Sequence, residues 1–508
     1  MKSAIRKVLI ANRGEIALRI IRTCQELDIK TVAVYSEADS ESPHVLQAGE
    51  SICIGAAASS ESYLSVDRIL EAARKSGADA IHPGYGFLSE NGSFAKRCEE
   101  EGIIFIGPGY RAIEMMGDKT TARSLMKSAG VPYPPGSEEA LRDLESARQC
   151  AARIGFPLLV KAAAGGGGKG MRIIQSEKEL EAGLQAARSE AKSAFGDDRV
   201  YIEKYLSSPR HVEFQIVADR QGHVIHLFDR ECSIQRRHQK VIEEAPCAVL
   251  DESLRSKMSE AAIAAAKACN YLGAGTIEFL VDGDNRFYFL EMNTRLQVEH
   301  PVTEMITGVD LVELQIRIAE GEPLPYRQED LSIRGHAIEC RIYAEDPSDQ
   351  FLPNTGTLKR HRPAAGPGVR VDAGVEEGME ITINYDPMIS KLCVLAPDRE
   401  SAIRRMLRAL DEYEVEGCRT TIPFCSYVLK HPDFQSGMYN THFVQDHFRS
   451  EMLASQSPNE KKITALAATL IATAGNRGNG QNELSENPSG TAIPAWWQQR
   501  RRLNRRAQ

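Results

Sequence analysis

The sequence predicts an α/β fold that continues into α+β segments, and three observations lead to this class. Apolar strand patterns alternate with helix patterns from residue 7 to about residue 108, as in a parallel sheet covered by helices. A small α/β unit containing a run of four glycines follows, over residues 137 to about 203. From about residue 334 to residue 446 the pattern is rich in strands and then includes a helix. A chain of 508 residues is long enough for several such domains.

The composition is that of an ordinary globular protein, with 42% apolar and 26% charged residues. No stretch approaches the ~20 apolar residues of a membrane-spanning helix, and the start lacks the apolar core of a signal peptide. The net charge of −8 argues against nucleic acid as the main partner. The eleven cysteines include no CxxC pair, which argues against a zinc site or a disulfide framework. We therefore expect a cytoplasmic location, with no membrane and no nucleic-acid partner.

The first predicted domain covers residues 1–118. Its strand patterns are KVLIA, TVAVYS, ADAI and IIFIG, and the helix pattern GEIALRIIRTCQELD follows the first of them. The loop HPGYGFLSEN, residues 82–91, follows the strand ADAI at the carboxyl end, where open α/β sheets bind ligands. One helix over residues 112–130 is predicted to link this domain to the proline-rich boundary VPYPPGS.

Two carboxylates lie on a predicted hairpin. Glu278 and Glu291 belong to the apolar runs EFLV and FYFLEM, which the turn signal DGDN at residues 282–285 separates. Pairing across the turn would bring them together, and Asn293 would share the face of Glu291 because strand side chains alternate. Adjacent carboxylates repel unless a cation lies between them, and oxygen ligands suit Mg²⁺ or Mn²⁺. The alternative is an edge hairpin with solvated acids, which does not account for the polar run RLQVEH that follows.

The glycine run joins two strand patterns in LLVKAAAGGGGKGMRII, residues 158–174. Glycines allow backbone N–H groups to approach phosphate oxygens closely, and Lys161 and Lys169 add positive charge. The Walker pattern is absent, because Gly170 follows Lys169, and no helix follows directly as in dinucleotide-binding loops. A flexible hairpin tip is the alternative. The downstream Glu/Glu/Asn cluster favours a phosphate-binding loop.

These features together resemble the ATP-grasp enzymes: the glycine loop, the two glutamates with Asn293, and the segment EKYL at residues 203–206. Within that superfamily the chain is similar to the biotin carboxylase family, which loads CO₂ onto biotin. Four stretches match this narrower family: NRGEIA (12–17), HPGYGFLSEN (82–91), ECSIQRRHQK (231–240) and RLQVEHP (295–301). The resemblance extends from about residue 7 to about residue 446.

The resemblance implies a domain organisation. The N-terminal domain would be doubly wound (Rossmann-like), and an ATP-grasp domain would cover residues 119–320 with a mobile lid at about 137–203. A mixed C-terminal domain would cover residues 334–446 and complete the active site.

The resemblance also implies ATP and two divalent ions, Mg²⁺ or Mn²⁺, with the ions on Glu278, Glu291 and Asn293. For His211 and His238, which belong to the ATP-binding set given next, the alternative is a histidine in the protein core whose hydrogen bonds are satisfied. The residues expected to bind ATP are Lys119, Lys161, Gly166, Gly167, Gly168, Glu203, Lys204, Leu206, His211, Gln235, His238, Glu278 and Glu291.

Bicarbonate is expected to attack the γ-phosphate of ATP, and the resulting carboxyphosphate to release CO₂ to biotin. By resemblance, Glu299 is the candidate base that deprotonates bicarbonate. Lys240 and Arg295 would bind the anion and help to keep Glu299 ionised. Gln297 and the backbone of Val298 would complete the bicarbonate pocket.

Arg341 is expected to stabilise the negative oxygen of enolised biotin, a charge that exists only transiently. The alternative is an ordinary strand arginine paired with Glu339 or Glu345. The stretch NYDPM, residues 384–388, departs from the YYDSM pattern common in relatives, so the contacts of residues 384 and 387 do not carry over. The residues expected on the biotin side are Tyr85, Gly86 and Asp386.

Biotin is expected to arrive on another chain, because no Ala-Met-Lys-Met biotinylation sequence occurs. The expected partners are therefore a biotin carboxyl carrier protein and a carboxyltransferase subunit, and the family implies a homodimer. The holoenzyme could be acetyl-CoA carboxylase, another acyl-CoA carboxylase or a two-subunit pyruvate carboxylase, and VEGCRTTIPF with the long tail slightly favours the last. Two other functions stay open: an ATP-grasp ligase that joins a carboxylate to an amine, and a non-catalytic binding module of the same fold.

The tail over residues 455–508 departs from the family core. Its pattern predicts a short helix over residues 461–474 and a flexible linker over residues 475–490. Trp496 and Trp497 lie beside several arginines near the end, a composition typical of a binding anchor. A docking role on a partner subunit is the hypothesis, and a disordered basic tail is the alternative.

Overall fold

The computed structural model describes residues 5–137, 139–141, 143–163, 171–237 and 239–454. The N-terminal unit contains, in chain order, β1 (Lys7–Ile10), α1 (Gly14–Glu26), β2 (Lys30–Ser36), α2 (Pro43–Gln47), β3 (Glu50–Gly55), α3 (Val66–Ser76), β4 (Ala80–His82), α4 (Gly92–Glu100), β5 (Ile104–Phe105) and α5 (Tyr110–Gly117). Its five strands pair in parallel in the order β3-β2-β1-β4-β5, which confirms the predicted parallel sheet. Helix α1 packs on this sheet through Ile16, Ile20 and Cys24.

The predicted single helix over residues 112–130 is wrong, because the chain breaks it at Asp118. Helix α5 ends at Gly117, and α6 (Lys119–Ser128) begins immediately after Asp118. The Asp118 side chain accepts a hydrogen bond from the Thr121 N–H at 2.9 Å, and its backbone is extended. An aspartate N-cap of this kind stabilises the start of a new helix.

The unit with the glycine run is a three-stranded antiparallel sheet in the order β7-β6-β8, covered by two helices. Its core is made of leucine, isoleucine, valine and alanine side chains from both layers. The strands flank residues 164–170, which lie outside the described residues. The elements are α7 (Leu144–Ile154), β6 (Leu158–Ala162), β7 (Arg172–Ile174), α8 (Glu177–Phe195) and β8 (Val200–Lys204).

The largest sheet is antiparallel and has eight strands, drawn from both sides of the predicted boundary between residues 320 and 334. Its order is β13-β12-β9-β10-β11-β14-β21-β19, and it crosses the boundary where β11 pairs with β14. The elements over the first part are β9 (Arg210–Ala218), β10 (Val224–Arg236), β11 (Gln239–Ala245), α9 (Glu252–Ala268), β12 (Gly273–Val281), β13 (Phe287–Asn293), α10 (His300–Thr307) and α11 (Leu311–Ala319).

The C-terminal part adds two strands beyond β14 to that sheet, three short two-stranded ribbons and five helices, with one apolar core beneath them. Its elements are β14 (His336–Tyr343), β15 (Glu345–Asp346), β16 (Leu352–Pro353), β17 (Gly356–Thr357), β18 (Arg360–Arg362), β19 (Val369–Ala373), β20 (Glu380–Ile381), β21 (Met388–Ala396), α12 (Arg399–Glu412), β22 (Glu414–Glu416), α13 (Ile422–Lys430), α14 (Pro432–Gln435), α15 (Phe443–His447) and α16 (Glu451–Ala454).

Among the described residues, no helix combines the length and the apolar character that crossing a bilayer requires. The predictions for the tail, including the docking role of Trp496 and Trp497, concern residues outside the described part of the chain.

Candidate active site

A cavity of about 1630 Å³ lies between the N-terminal unit, the glycine-run unit and the eight-stranded sheet. Glu299 does not line this cavity, although all the other predicted site residues that the structure describes do so. Those lining it are Tyr85, Gly86, Lys119, Lys161, Glu203, Lys204, Leu206, His211, Gln235, Lys240, Glu278, Glu291, Asn293, Arg295, Gln297, Val298, Arg341 and Asp386.

Strand alternation explains why one face of the large sheet is charged. In β9, Val212, Phe214 and Ile216 belong to the apolar core that also contains residues of α9, and Glu213 between them points to the opposite face. Register then aligns charged residues of adjacent strands across that face. The aligned pairs are Glu278 with Glu291, Glu278 with Glu213, Glu213 with Arg230, Glu243 with Glu339, Arg341 with Lys391, and Lys391 with Asp372.

Lys240, on β11, joins three carboxylates of this face. Its ammonium donates to Glu213 at 2.5 Å, to Glu299 at 2.6 Å and to Glu278 at 2.9 Å. Burial disfavours the charged amine, but the three carboxylates outweigh burial and raise the pKa of Lys240 well above its usual value. Glu213 also accepts from the fully buried Arg230 at 2.5 Å. Lys240 is therefore protonated and bridges the three acids, although burial raises the pKa of Glu213.

Glu299 lies behind two cations that line the cavity. Its side chain is fully buried, one oxygen accepts from Lys240 and the other accepts from Arg341 at 3.0 Å. Burial alone would raise the pKa of this carboxyl, but Lys240, Arg341 and Arg230 hold it well below its usual value. Glu299 is therefore ionised, and it reaches the cavity only through its partners.

The hairpin prediction is confirmed, because Glu278 and Glu291 are direct partners in the register of β12 and β13. Glu278 is held by Lys240, by the Asn293 amide at 2.8 Å and by His211, whose Nε2 lies 2.9 Å away. Glu291 has no hydrogen-bond or ion-pair partner among the residues that the structure describes. Burial and the nearby Glu278 charge raise the pKa of Glu291, which shows that its negative charge is undercompensated.

This arrangement fits a divalent cation. An unpartnered carboxylate that faces a cavity beside a second carboxylate offers the oxygen ligands that Mg²⁺ and Mn²⁺ prefer. A bound cation would also relieve the repulsion between Glu278 and Glu291. The Asn293 amide is already engaged, since its Oδ1 accepts from Arg295 at 2.9 Å.

Arg341 does not pair with Glu339 or Glu345, the partners considered as the alternative. One guanidinium nitrogen lies 3.0 Å from Glu299 and 2.6 Å from Glu243, a buried acid on the adjacent strand β11. Burial raises the pKa of Glu243 to about 7, although Arg341 opposes the rise. Arg341 is thus fixed by one acid on each side and aimed at the cavity.

The end of the cavity next to the glycine-run unit has its own charge arrangement. Lys161 and Arg123 both pair with the buried Glu203, the latter at 2.9 Å. Lys119 begins helix α6, and burial lowers the pKa of its amine although the Glu291 charge opposes this shift. The Lys204 ammonium turns away to donate to backbone carbonyls at residues 155 and 156, so only its backbone and stem face the cavity.

The segment after β13 arranges polar groups around the hairpin acids. Arg295 donates to Gln297 at 2.9 Å and to Glu90, in the loop after β4, also at 2.9 Å. Gln297 in turn donates to Glu278 at 3.2 Å. At the nucleotide side, Gln235 and His211 are within hydrogen-bond distance of each other, at 2.8 Å.

Of the remaining predicted residues, Gly166, Gly167, Gly168 and His238 lie outside the described part of the chain. Sequence reasoning missed several charged groups that contact the predicted site. For Glu213, Glu243 and Lys391, a charged residue inside an apolar strand pattern was the available signal, as in RHVEFQIV, VIEEA and MISKLCVLA. The missed residues are the exposed Glu90 and the buried Arg123, Glu213, Arg230, Glu243 and Lys391.

A unit that contains a glycine run and shares a cavity with a sheet bearing paired acids is the arrangement typical of the ATP-grasp class. Three family models match the chain. They are "Biotin carboxylase, N-terminal domain" at residues 4–113, "Carbamoyl-phosphate synthase L chain, ATP binding domain" at residues 118–327, and "Biotin carboxylase C-terminal domain" at residues 339–446.

Individual relatives agree with these models. The chain is 54% identical to the biotin carboxylase of Halalkalibacterium halodurans, over 87% of this chain and 98% of that one. It is 50% identical to the propionyl-CoA carboxylase alpha chain of Ruegeria pomeroyi, over 91% of this chain and 71% of that one.

Solved structures agree as well. A crystal structure of the biotin carboxylase domain of Hydrogenobacter thermophilus 2-oxoglutarate carboxylase, with MgADP, ADP and bicarbonate, superposes with a TM-score of 0.84. It is 50% identical to this chain and covers 88% of it and 98% of that domain. The crystal structure of the biotin carboxylase subunit of pyruvate carboxylase is 48% identical, with a TM-score of 0.77 over 89% of this chain and 100% of that one.

The chain belongs to the biotin carboxylase family. It is an ATP-dependent ligase that uses Mg²⁺ and bicarbonate, with biotin as the group that is carboxylated. These similarities do not support the two alternatives, a carboxylate–amine ligase or a non-catalytic module.

Proposed function

We propose that Glu299 is the general base that deprotonates bicarbonate, and that Lys240 and Arg341 control when it acts. The main supporting observation is the Glu299 carboxylate itself, buried between two cations that line the cavity. With both cations in contact, the depressed pKa of Glu299 makes it ionised but a poor proton acceptor. Bicarbonate draws Lys240 and Arg341 towards its own charge, and the pKa of Glu299 rises as they leave. The substrate thereby activates its own base.

The deprotonated bicarbonate then attacks the γ-phosphate of ATP, giving carboxyphosphate and ADP. Phosphoryl transfer depends on in-line positioning and positive charge around the phosphates. We assign this role to Lys119 and Lys161, which line the cavity, together with the glycine loop at residues 166–168 and His238. The backbone at residues 203–206 and the His211–Gln235 pair hold the base and sugar end.

Glu278 and Glu291, with Asn293, are assigned to two divalent ions, Mg²⁺ or Mn²⁺. When bound, such ions neutralise charge on the phosphate oxygens. The Glu291 carboxylate supports this assignment, because among the described residues no cation contacts it directly, and burial and Glu278 raise its pKa although Lys119 opposes the rise.

Carboxyphosphate breaks down to CO₂ and phosphate, the released phosphate accepts the N1′ proton of biotin, and the resulting enolised ureido group takes the CO₂ at N1′. Arg341 stabilises the enolate oxygen, and its contact with Glu243 fixes its direction. Arg295, Gln297 and the Val298 backbone hold bicarbonate and carboxyphosphate. Biotin enters along Tyr85, Gly86 and Asp386.

The biotin is carried by a separate biotin carboxyl carrier protein, and a carboxyltransferase subunit consumes the product. The protein works as a homodimer in the cytoplasm, within an acyl-CoA carboxylase or a two-subunit pyruvate carboxylase. The family membership supports a carrier partner, and the acceptor, the dimer and the compartment stay predictions.

The deciding experiment measures ADP release by the purified chain with Mg²⁺ and ATP, while bicarbonate and free biotin are added or omitted. We expect turnover that depends on bicarbonate and rises with biotin. Turnover indifferent to both, including after addition of a biotinylated carrier domain, would contradict the proposed reaction.

A further inference from the structure

Lys391 is a fully buried lysine in the apolar strand β21. Lysine is rarely buried without partners, because an uncompensated ammonium is costly inside a protein. Its Nζ donates to the Val298 carbonyl at 2.9 Å, lies 3.2 Å from Glu15 Oε2, and lies 5.8 Å from the centre of the Tyr85 ring.

The three partners come from three different family motifs. Glu15 belongs to NRGEIA in the first turn of α1, Tyr85 to the loop after β4, and Val298 to RLQVEHP before α10. The C-terminal part also touches α1 directly, since a Cβ on Gly374 would lie 2.6 Å from the Glu15 nitrogen. One ammonium group therefore joins the N-terminal unit to the segment that contains the proposed base.

The Lys391 contact holds the Val298 carbonyl in an irregular segment. Residues 294–299 connect β13 to α10 without a ladder or a helix, and one long turn hydrogen bond, from the His300 N–H to the Gln297 carbonyl at 3.3 Å, spans this peptide. Within the described residues, Lys391 is the donor to this carbonyl. The residues on either side of Val298, Gln297 and Glu299, have the proposed roles of binding and deprotonating bicarbonate. A rotation of the Val298 peptide would move both side chains.

The charges around Lys391 indicate that this lysine orients a neighbouring group and does not serve only to stabilise the fold. A buried ion pair seldom stabilises a protein more than an apolar pair of similar volume. Burial raises the pKa of Glu15 to about 7 although Lys391 opposes the rise, so the contact with Lys391 only partly offsets the cost of burying the Glu15 carboxylate. Two other acids lie near Lys391 on this face. Asp372 is already paired with Arg370 at 2.7 Å, and burial and the Glu243 charge raise the pKa of Glu339 well above its usual value.

We infer that Lys391 is a positioning residue for bicarbonate, which fixes the Val298 peptide and thereby the side chains of Gln297 and Glu299, with Glu15 as its counter-ion. This inference rests on the proposed role of the 297–299 segment in binding bicarbonate. It gives the NRGEIA motif a function in the reaction although Glu15 does not contact the segment itself.

The test compares steady-state constants of the whole enzyme for bicarbonate and for ATP. The double variant Lys391→Met/Glu15→Gln removes the donor and the acid it would leave unpaired, while keeping the side-chain volumes. We expect the KM for bicarbonate to rise at least tenfold and the KM for ATP to stay within twofold, because small displacements at a reacting site cost about 100-fold. A surface change of the same kind, Lys430→Met at the exposed end of α13, should leave both constants unchanged.

Lys391→Met alone is the second variant, should the double variant not fold. We expect Glu15 to be neutral in this variant, because burial raises its pKa to about 7 even with Lys391 present, and Lys391 is the main group that opposes the rise. A folded variant of either kind whose KM for bicarbonate is within twofold of the parent overturns the inference.

Gln297→Ala separates the two possible failures. If Gln297→Ala raises the KM for bicarbonate while the Lys391 variants do not, the bicarbonate site is right and the positioning role is wrong. If neither change alters that KM, the proposed bicarbonate site fails and the inference fails with it. Equal increases in the KM values for bicarbonate and ATP would indicate a general structural role and also overturn it.

Discussion

The change Glu299→Gln tests the proposed base with little disturbance of the fold. The glutamine amide has the shape of the carboxylate but neither its charge nor its ability to take a proton. Lys240 keeps two carboxylate partners, Glu213 and Glu278, and Arg341 keeps Glu243. The cations on either side of position 299 therefore stay paired.

The expected loss is in the chemical step rather than in binding. A positioned general base contributes about 10²–10⁴-fold, which corresponds to about 3–5 kcal/mol of barrier. Removing a negative charge beside Lys240 and Arg341 leaves the pocket more positive, so bicarbonate should bind at least as well. We expect kcat to fall by that factor while the KM for bicarbonate and the Kd for ATP stay within about twofold.

The assay is bicarbonate-dependent ADP release in the presence of biotin, with ATP affinity measured separately by equilibrium binding. Glu244→Gln is the matched control, because Glu244 is also buried and accepts from the cation Arg399 at 2.7 Å, yet neither Arg399 nor its other partner His336 lines the cavity, whereas Lys240 and Arg341 do. A Glu299→Gln enzyme with near-normal kcat would remove Glu299 as the base. Equal losses in both variants would show that any buried charge deletion in this sheet inactivates the enzyme.

Three further predictions concern other groups. Arg341→Ala should lower biotin carboxylation more than bicarbonate-dependent ATP cleavage, since the enolate forms only when biotin reacts; equal losses in the two assays would point to a structural role. Glu291→Gln should raise the Mg²⁺ concentration for half-maximal ATP turnover at least tenfold, and an unchanged Mg²⁺ titration would remove Glu291 as a ligand. Burial opposes ionisation of Glu244, but His336 and Arg399 lower its pKa to about 2 from the usual 4.5. An acid whose pKa is lowered in the folded state stabilises the fold above pH 4.5, and this stabilisation is lost as the pH falls towards 2. Denaturant titrations should therefore give Glu244→Gln a free energy of unfolding about 3 kcal/mol lower than that of the parent at pH 7, and the difference should disappear on acidification.

Local patterns predicted much of the fold. The N-terminal parallel sheet and the pairing of Glu278 with Glu291 follow from strand patterns and turn signals within short stretches. The helix over residues 112–130 was predicted wrongly although its signal was local, because Asp118 is a strong N-cap residue inside an otherwise helical pattern. The eight-stranded sheet could not be predicted, since β11 pairs with β14 across about ninety residues of chain and no local pattern sets that register.

The same limit explains which site residues were missed. Lys240 and Glu299 were found through family motifs, but Glu243 meets Arg341 only through the register of adjacent strands. Lys391 contacts Val298 from 93 positions away along the chain. A single charged residue in an apolar strand is a candidate of this kind, but its partner can be identified only when the strand order and register are known.

Under the proposed reaction, the molecule that finally accepts the carboxyl group never enters this cavity. In that proposal the residues here contact only ATP, bicarbonate and biotin, and the carboxyl group leaves on biotin to react at another site. Relatives named for different acceptors are accordingly about equally similar, at 50% identity for the propionyl-CoA carboxylase alpha chain and 48% for the pyruvate carboxylase structure. Selection for an acceptor can therefore act on this chain only through the surfaces that bind its partners. Exchanging residues 455–508 between such relatives should change which carboxyltransferase the chain binds while leaving free-biotin carboxylation intact, and an unchanged partner preference would place the selectivity within residues 1–454.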